Sequence, residues 1–62
     1  MNKREACLKA VHDINDLQFF IEVECWEANQ YSKDTVAFAF NVIKNILYAE
    51  EQFLFEQEVK GL

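Results

Sequence analysis

The sequence predicts an all-α protein, an antiparallel helical hairpin that dimerises into a four-helix bundle. Three observations lead to this prediction. The 62 residues include no proline and one glycine, Gly61, so the strongest helix breakers are missing from the interior of the chain. Apolar residues recur at alternating spacings of three and four in both halves, as in helices that pack along their length. One polar stretch near the middle, residues 29–34, separates the halves of this single domain, residues 1–62.

The first helix is expected over residues 3–29. At 100° per residue, its apolar residues fall within about 60° of Ile14, a stripe wide enough to bury one side of a helix. The members of this stripe are Cys7, Ala10, Val11, Ile14, Leu17, Ile21, Cys25 and Ala28.

A turn is expected over residues 30–32. Ser32 is a good N-cap, because its hydroxyl can accept a hydrogen bond from an unpaired amide in the first turn of the next helix. Asp34 would lie in that first turn, where the helix dipole favours a carboxylate. Tyr31 and Val36 have the spacing of a hydrophobic staple across the same boundary.

The second helix is expected over residues 33–59, with Gly61 just beyond its end. Its apolar stripe centres on Ile43, and the short turn makes the two helices antiparallel neighbours. Glu50 also falls at the centre of this stripe, so it needs either a cation such as Lys9 or Lys60 or access to water. The apolar members of the stripe are Val36, Ala39, Phe40, Ile43, Ile46, Leu47 and Leu54.

Two segments also fit a β-strand pattern. Residues 19–26 alternate between apolar and polar side chains, and residues 36–42 can be assigned a period of two, which would give a helix, a hairpin and a helix. The link between them has no Asn-Gly or Asp-Gly pair and no proline or glycine, which fits a β-hairpin poorly. The helical interpretation is therefore preferred.

A second apolar set lies off both stripes. Two such hairpins could dimerise and bury this set as the core of a four-helix bundle. Alternatively, part of the set stays open and binds a host or phage regulatory protein, with Trp26 as the hot spot. The candidate interface residues are Phe19, Val23, Trp26, Tyr48, Phe55 and Val59.

The size of the chain also predicts association. At this mass, hydrophobic burial of about 95 kcal/mol is offset by an ordering entropy of about 93 kcal/mol, so a monomer has little net stability. Yet 52% of the residues are hydrophobic and 15% are aromatic, which is more apolar surface than a small monomer can enclose.

Charge and cysteine content indicate a cytoplasmic protein. The net charge of −5 makes direct nucleic-acid binding unfavourable. Apolar runs reach at most five residues, far short of a membrane span, and polar residues interrupt any signal-peptide core near the start. Cys7 and Cys25 are expected to be reduced, buried thiols.

No residue pattern predicts catalysis, a metal or a cofactor. His12 and Asp16 share one helical face, but no third ligand is spaced to join them, and catalytic zinc needs three. The glutamates lie one or two residues apart, so on a helix they point in different directions and cannot form an acid–base pair. Neither cysteine has a neighbouring base that would activate it. The protein is therefore not expected to be an enzyme.

The sequence resembles a family of small phage proteins. The opening ten residues, MNKREACLKA, the segment FFIEVECW at residues 19–26 and the overall length are similar to small early proteins of the exo–xis region of lambdoid bacteriophages. The similarity covers the whole chain and includes no chemical motif. It implies a helical accessory protein in the cytoplasm of an infected bacterium, one that influences the lysis–lysogeny decision or host processes.

Three classes of function follow from these observations. The leading one is a non-enzymatic, regulatory interaction protein, whose apolar helical face lies within an acidic rim that can steer it to a basic partner. The alternatives are a DNA-binding regulator or nucleic-acid mimic, and a purely structural oligomerisation module.

Overall fold

A computed structural model, which describes residues 2–61, places two helices side by side. These are α1 (Lys3–Glu24) and α2 (Lys33–Lys60), and the described residues contain no strand. The start of α1 contacts the end of α2, since Arg4 Nη1 lies 3.1 Å from Glu58 Oε2. The all-α helical hairpin is thus confirmed, and the arrangement with two strands is wrong for these residues.

Side-chain caps begin both helices. The Ser32 hydroxyl accepts a hydrogen bond from the Thr35 amide at 3.1 Å, so the predicted N-cap of α2 is confirmed. Asn2 caps α1 in the same way, because its Oδ1 atom accepts from the Glu5 amide at 2.8 Å. Each cap satisfies one of the amides that a helix start leaves unpaired.

Helix α1 ends at Glu24, five residues before the predicted end at residue 29. The connection therefore covers residues 25–32 and not only residues 30–32. Local hydrogen bonds explain the difference: the Asn29 amide donates to the Trp26 carbonyl at 3.3 Å, and Asn29 Oδ1 accepts from the Tyr31 amide at 2.8 Å. These bonds offer the backbone an alternative to the helix. Helix α2 ends at Lys60, one residue beyond the prediction.

The residues of each helix that face the other helix form a seam. The seam positions repeat in a heptad pattern, and some of them are polar. Its more enclosed positions alternate by three and four, as expected of helices that pack at a shallow angle. Two of its layers are polar: Arg4 pairs with Glu51, and Lys44 with Gln18. The seam positions are Arg4, Cys7, Val11, Ile14, Gln18 and Ile21 on α1, and Ala37, Phe40, Lys44, Leu47, Glu51 and Leu54 on α2.

The predicted stripe on α2 is displaced from this seam. At 100° per residue, the observed seam is rotated by about 70° from the direction of Ile43. As a result, Ile43 and Ile46 remain exposed. Glu50 is also exposed, and Glu51 is the carboxylate that takes a partner across the seam. The expected pairing of Glu50 with Lys9 is not found, since Lys9 pairs with Asp13 at 2.7 Å.

The hairpin is a single layer. Its Cα atoms extend over 51 × 20 × 9 Å, and the shortest dimension is about the width of one helix. Within residues 2–61, Val11 alone is buried, at 4% exposure. Globular domains usually consist of at least two packed layers, so both broad sides of this hairpin lie open.

Candidate interaction surfaces

The hairpin has two broad sides, and helical geometry assigns most exposed helical residues either to one of them or to the outer edge of a helix. Because α1 and α2 are antiparallel, side chains about 90° ahead of the seam on either helix lie on the same side of the hairpin. Contacts between the helices agree with this assignment: Arg4 lies over the Phe55 ring on one side, and Ile21 lines a groove with Ala39 on the other.

One side carries most of the residues predicted as an interface, and we call it the aromatic face. It is highly exposed: Phe19 is 70% accessible, and Val23 and Val59 are more than half accessible. The structure places these residues on one side of the hairpin but not in one cluster, because Phe19 and Val23 lie toward the connection and the α2 residues toward the far end. The aromatic face consists of Leu8, Phe19, Val23, Tyr48, Phe55 and Val59.

Trp26 does not belong to this face. The sequence places it on the first helix in series with Phe19 and Val23, but α1 ends at Glu24 and the helical series stops before it. Trp26 lies half-buried in the connection, with the Lys33 ammonium 5.5 Å from the ring centroid. This cation–π contact holds the indole against the start of α2.

The polar bonds between the helices also emerge on the aromatic side. Arg4 Nε donates to Glu51 Oε1 at 2.8 Å, and the same guanidinium lies 4.6 Å from the centroid of Phe55. The hydrogen bond to Glu51 is the main reason that the pKa of Arg4 is raised above its ordinary value, although partial burial opposes the increase. Further along, Lys44 Nζ donates to Asn15 Oδ1 at 2.9 Å. The apolar residues of this side are therefore interrupted by charged and amide groups.

The opposite side carries a second apolar surface, which we call the aliphatic face. Three of its members, Leu17, Ile43 and Ile46, were predicted to close the hairpin, yet Ile46 is 64% exposed. Phe53 continues the apolar surface where this face meets the outer edge of α2, and three alanines are the small residues of the face. The aliphatic face consists of Ala6, Ala10, Leu17, Ala39, Ile43, Ile46 and Phe53.

A shallow groove extends the aliphatic face toward the connection. It has a volume of about 370 Å³, and apolar atoms form nearly all of its lining. Tyr31 and Val36, the predicted staple pair, both line it together with Phe40. The apolar surface of this side therefore runs from the connection along most of the hairpin.

The titratable residues between positions 2 and 61 form no cluster suited to metal binding. His12 Nε2 lies 3.7 Å from Asp16 Oδ2, and both side chains are about three-quarters exposed. Among the described residues, no group of three His, Cys, Asp or Glu side chains could hold an ion. Cys7 is half-buried in the seam, but Cys25 is exposed, contrary to the expectation of two buried thiols.

Neither helix in the described range combines the length and apolar character needed to cross a membrane. Comparison with protein-family models, with curated proteins and with solved structures found no match. The exposed surfaces of the hairpin are therefore the features that bear on its function.

Proposed function

We propose that this protein is a non-enzymatic interaction protein that works as a homodimeric four-helix bundle and regulates a protein partner. The single observation that supports this best is the exposure of its apolar residues. Fourteen large hydrophobic side chains between residues 2 and 61 are more than 40% exposed, on both sides of a single-layer hairpin. Exposed apolar surface of this extent is typical of proteins that bind other proteins.

The resemblance to small early proteins of lambdoid phages gives this proposal its setting. In that setting the protein is a phage accessory factor in the bacterial cytoplasm, and it modulates the lysis–lysogeny decision or host processes through protein–protein binding. Its net charge of −5 supports a partner with a basic surface, because opposite charges accelerate encounter and help to orient the two proteins.

Affinity capture with matched variants tests partner binding. Immobilised wild-type protein should retain a specific protein from an enterobacterial lysate, and Phe19→Lys should lose it. Phe20→Lys is the matched control, since Phe20 is the adjacent phenylalanine, is 53% exposed and lies 100° further round α1, away from the aromatic face. Equal retention by the wild type and both variants would contradict a partner site on the aromatic face.

A further inference from the structure

We propose that the aliphatic face is the homodimer interface, so that a second copy of this chain covers it and the aromatic face stays open. This inference rests on the proposed function, because it specifies how the dimer forms. It reverses the expectation from the sequence, in which the Phe19 and Tyr48 surface was a candidate for the dimer core.

Fewer polar contacts between the helices cross the aliphatic side than the aromatic side. Arg4, Lys44 and Asn15 place their hydrogen bonds and ion pairs on the aromatic side, where a second chain would have to dehydrate them. The aliphatic side carries an apolar groove at one end and Phe53 toward the other. By the same helical geometry, Asp13, Glu24 and Glu50 are charged residues of this side, and none of these three makes a hydrogen bond between the helices. Covering the aliphatic side therefore dehydrates fewer of the polar contacts between the helices and costs less free energy than covering the aromatic side.

The aliphatic face also has a shape that suits close packing against another helix. Alanines at positions 6 and 10 of α1 and 39 of α2 are small side chains on the same face as Leu17, Ile43 and Ile46, so the helix of another copy can approach closely at these positions. Close packing of this kind is needed to recover the dispersion energy of an apolar interface. The aromatic face instead presents tall, separated side chains such as Phe19, which are better suited to inserting into a partner's pocket.

The accessible surface of the hairpin is larger than that of a compact protein of the same mass. A compact monomer of this mass has an accessible surface of about 4,200 Å². The hairpin exposes 4940 Å², which is about 700 Å² more than that expectation. A specific protein interface of standard size buries about 800 Å² on each partner. Covering one broad side of the hairpin would therefore bring its exposure close to that of a compact protein.

A second copy of the chain also supplies the missing layer. The hairpin is one helix thick, and a stable domain needs a second layer over the apolar side of the first. In a two-fold dimer the same patch covers itself, so the partner has the required apolar character and length by symmetry. The product is a four-helix bundle with one aromatic face on each outer side. Such a bundle can bind two partner molecules at once.

Matched substitutions on α2 test this assignment. Ile46 and Tyr48 are two residues apart and lie on opposite sides of the hairpin. Sedimentation equilibrium of the full chain should show a dimer for the wild type. Ile46→Lys should raise the dissociation constant about tenfold or more, and Tyr48→Lys should leave it within about threefold of the wild type.

A milder pair keeps the test decisive if a buried lysine unfolds the chain. Phe53→Ala should weaken the dimer more than Phe55→Ala does, with helix content followed by circular dichroism in each case. If Tyr48→Lys and Phe55→Ala are the variants that dissociate, or if both faces respond equally, the aliphatic assignment is overturned while a self-associating protein remains. A strictly monomeric, folded wild type would instead contradict the dimer of the proposed function.

Discussion

Val11 is the side chain that the two helices enclose most completely, and it lies at the middle of the α1 seam. Val11→Ala removes two methylene equivalents and leaves a small cavity, so the free energy of unfolding should fall by about 2 kcal/mol. Urea denaturation followed by circular dichroism measures this loss. The matched control is Val23→Ala, at an exposed position on the same helix, which should change the free energy of unfolding by less than about 0.5 kcal/mol. Equal losses would mean that Val23 is covered in solution.

Polar residues limited what could be predicted at this scale. A stripe predicted from apolar residues alone leaves out the polar seam positions, which are Arg4, Gln18, Lys44 and Glu51. The predicted stripe on α2 is therefore displaced from the observed seam. The signal was present, because the spacing of three and four continues through all of them. The predicted stripe instead centres on Ile43, and this direction places Glu50 in the stripe. Glu51 was missed because its partner, Arg4, is 47 residues away.

At the scale of the helix, local signals predicted the start of α2 well and the end of α1 poorly. Ser32 and Asp34 mark a helix start through interactions within four residues, so they can be recognised without the fold. No comparable signal marks the end at Glu24, where neither glycine nor proline follows. The bonds of Asn29 are local but lie beyond the last helical residue, and the contact of Trp26 with Lys33 forms only when the chain turns toward α2.

The N-cap of α2 can be tested by one pair of substitutions. Ser32→Ala removes the acceptor for the Thr35 amide, so the free energy of unfolding should fall by about 1 kcal/mol. Ser32→Asp should retain the stability of the wild type, since a carboxylate caps as well and also interacts favourably with the helix dipole. Thermal and urea denaturation of the three proteins would decide this. A loss for Ser32→Asp as large as that for Ser32→Ala would show that the hydroxyl acts otherwise than as a cap.

For the whole molecule, composition predicted an excess of apolar surface but not where it would lie. The size argument required association, and the hairpin exposes apolar residues on both sides. The rotation of α2 about its axis decides which of its residues face α1. A rotation of about 70° replaces Ile43 and Ile46 in the seam by Lys44 and Glu51. That rotation is stabilised by the Arg4 ion pairs and the Lys44 hydrogen bonds, which are cross-helix contacts. Periodicity within one helix contains no information about them.

The negative charge of each copy opposes the proposed dimer through electrostatic repulsion. Glu50 contributes to this repulsion within the proposed interface itself. Each copy carries a net charge of −5, and Glu50 projects from the aliphatic face between Ile46 and Phe53. At low ionic strength, Glu50→Gln should tighten the dimer by about two- to fivefold, equivalent to about 0.4–1 kcal/mol. Glu56→Gln removes the same charge from the outer edge of α2 and should have less effect. Sedimentation equilibrium compares them, and weaker association of Glu50→Gln would indicate that Glu50 pairs with a cation across the interface.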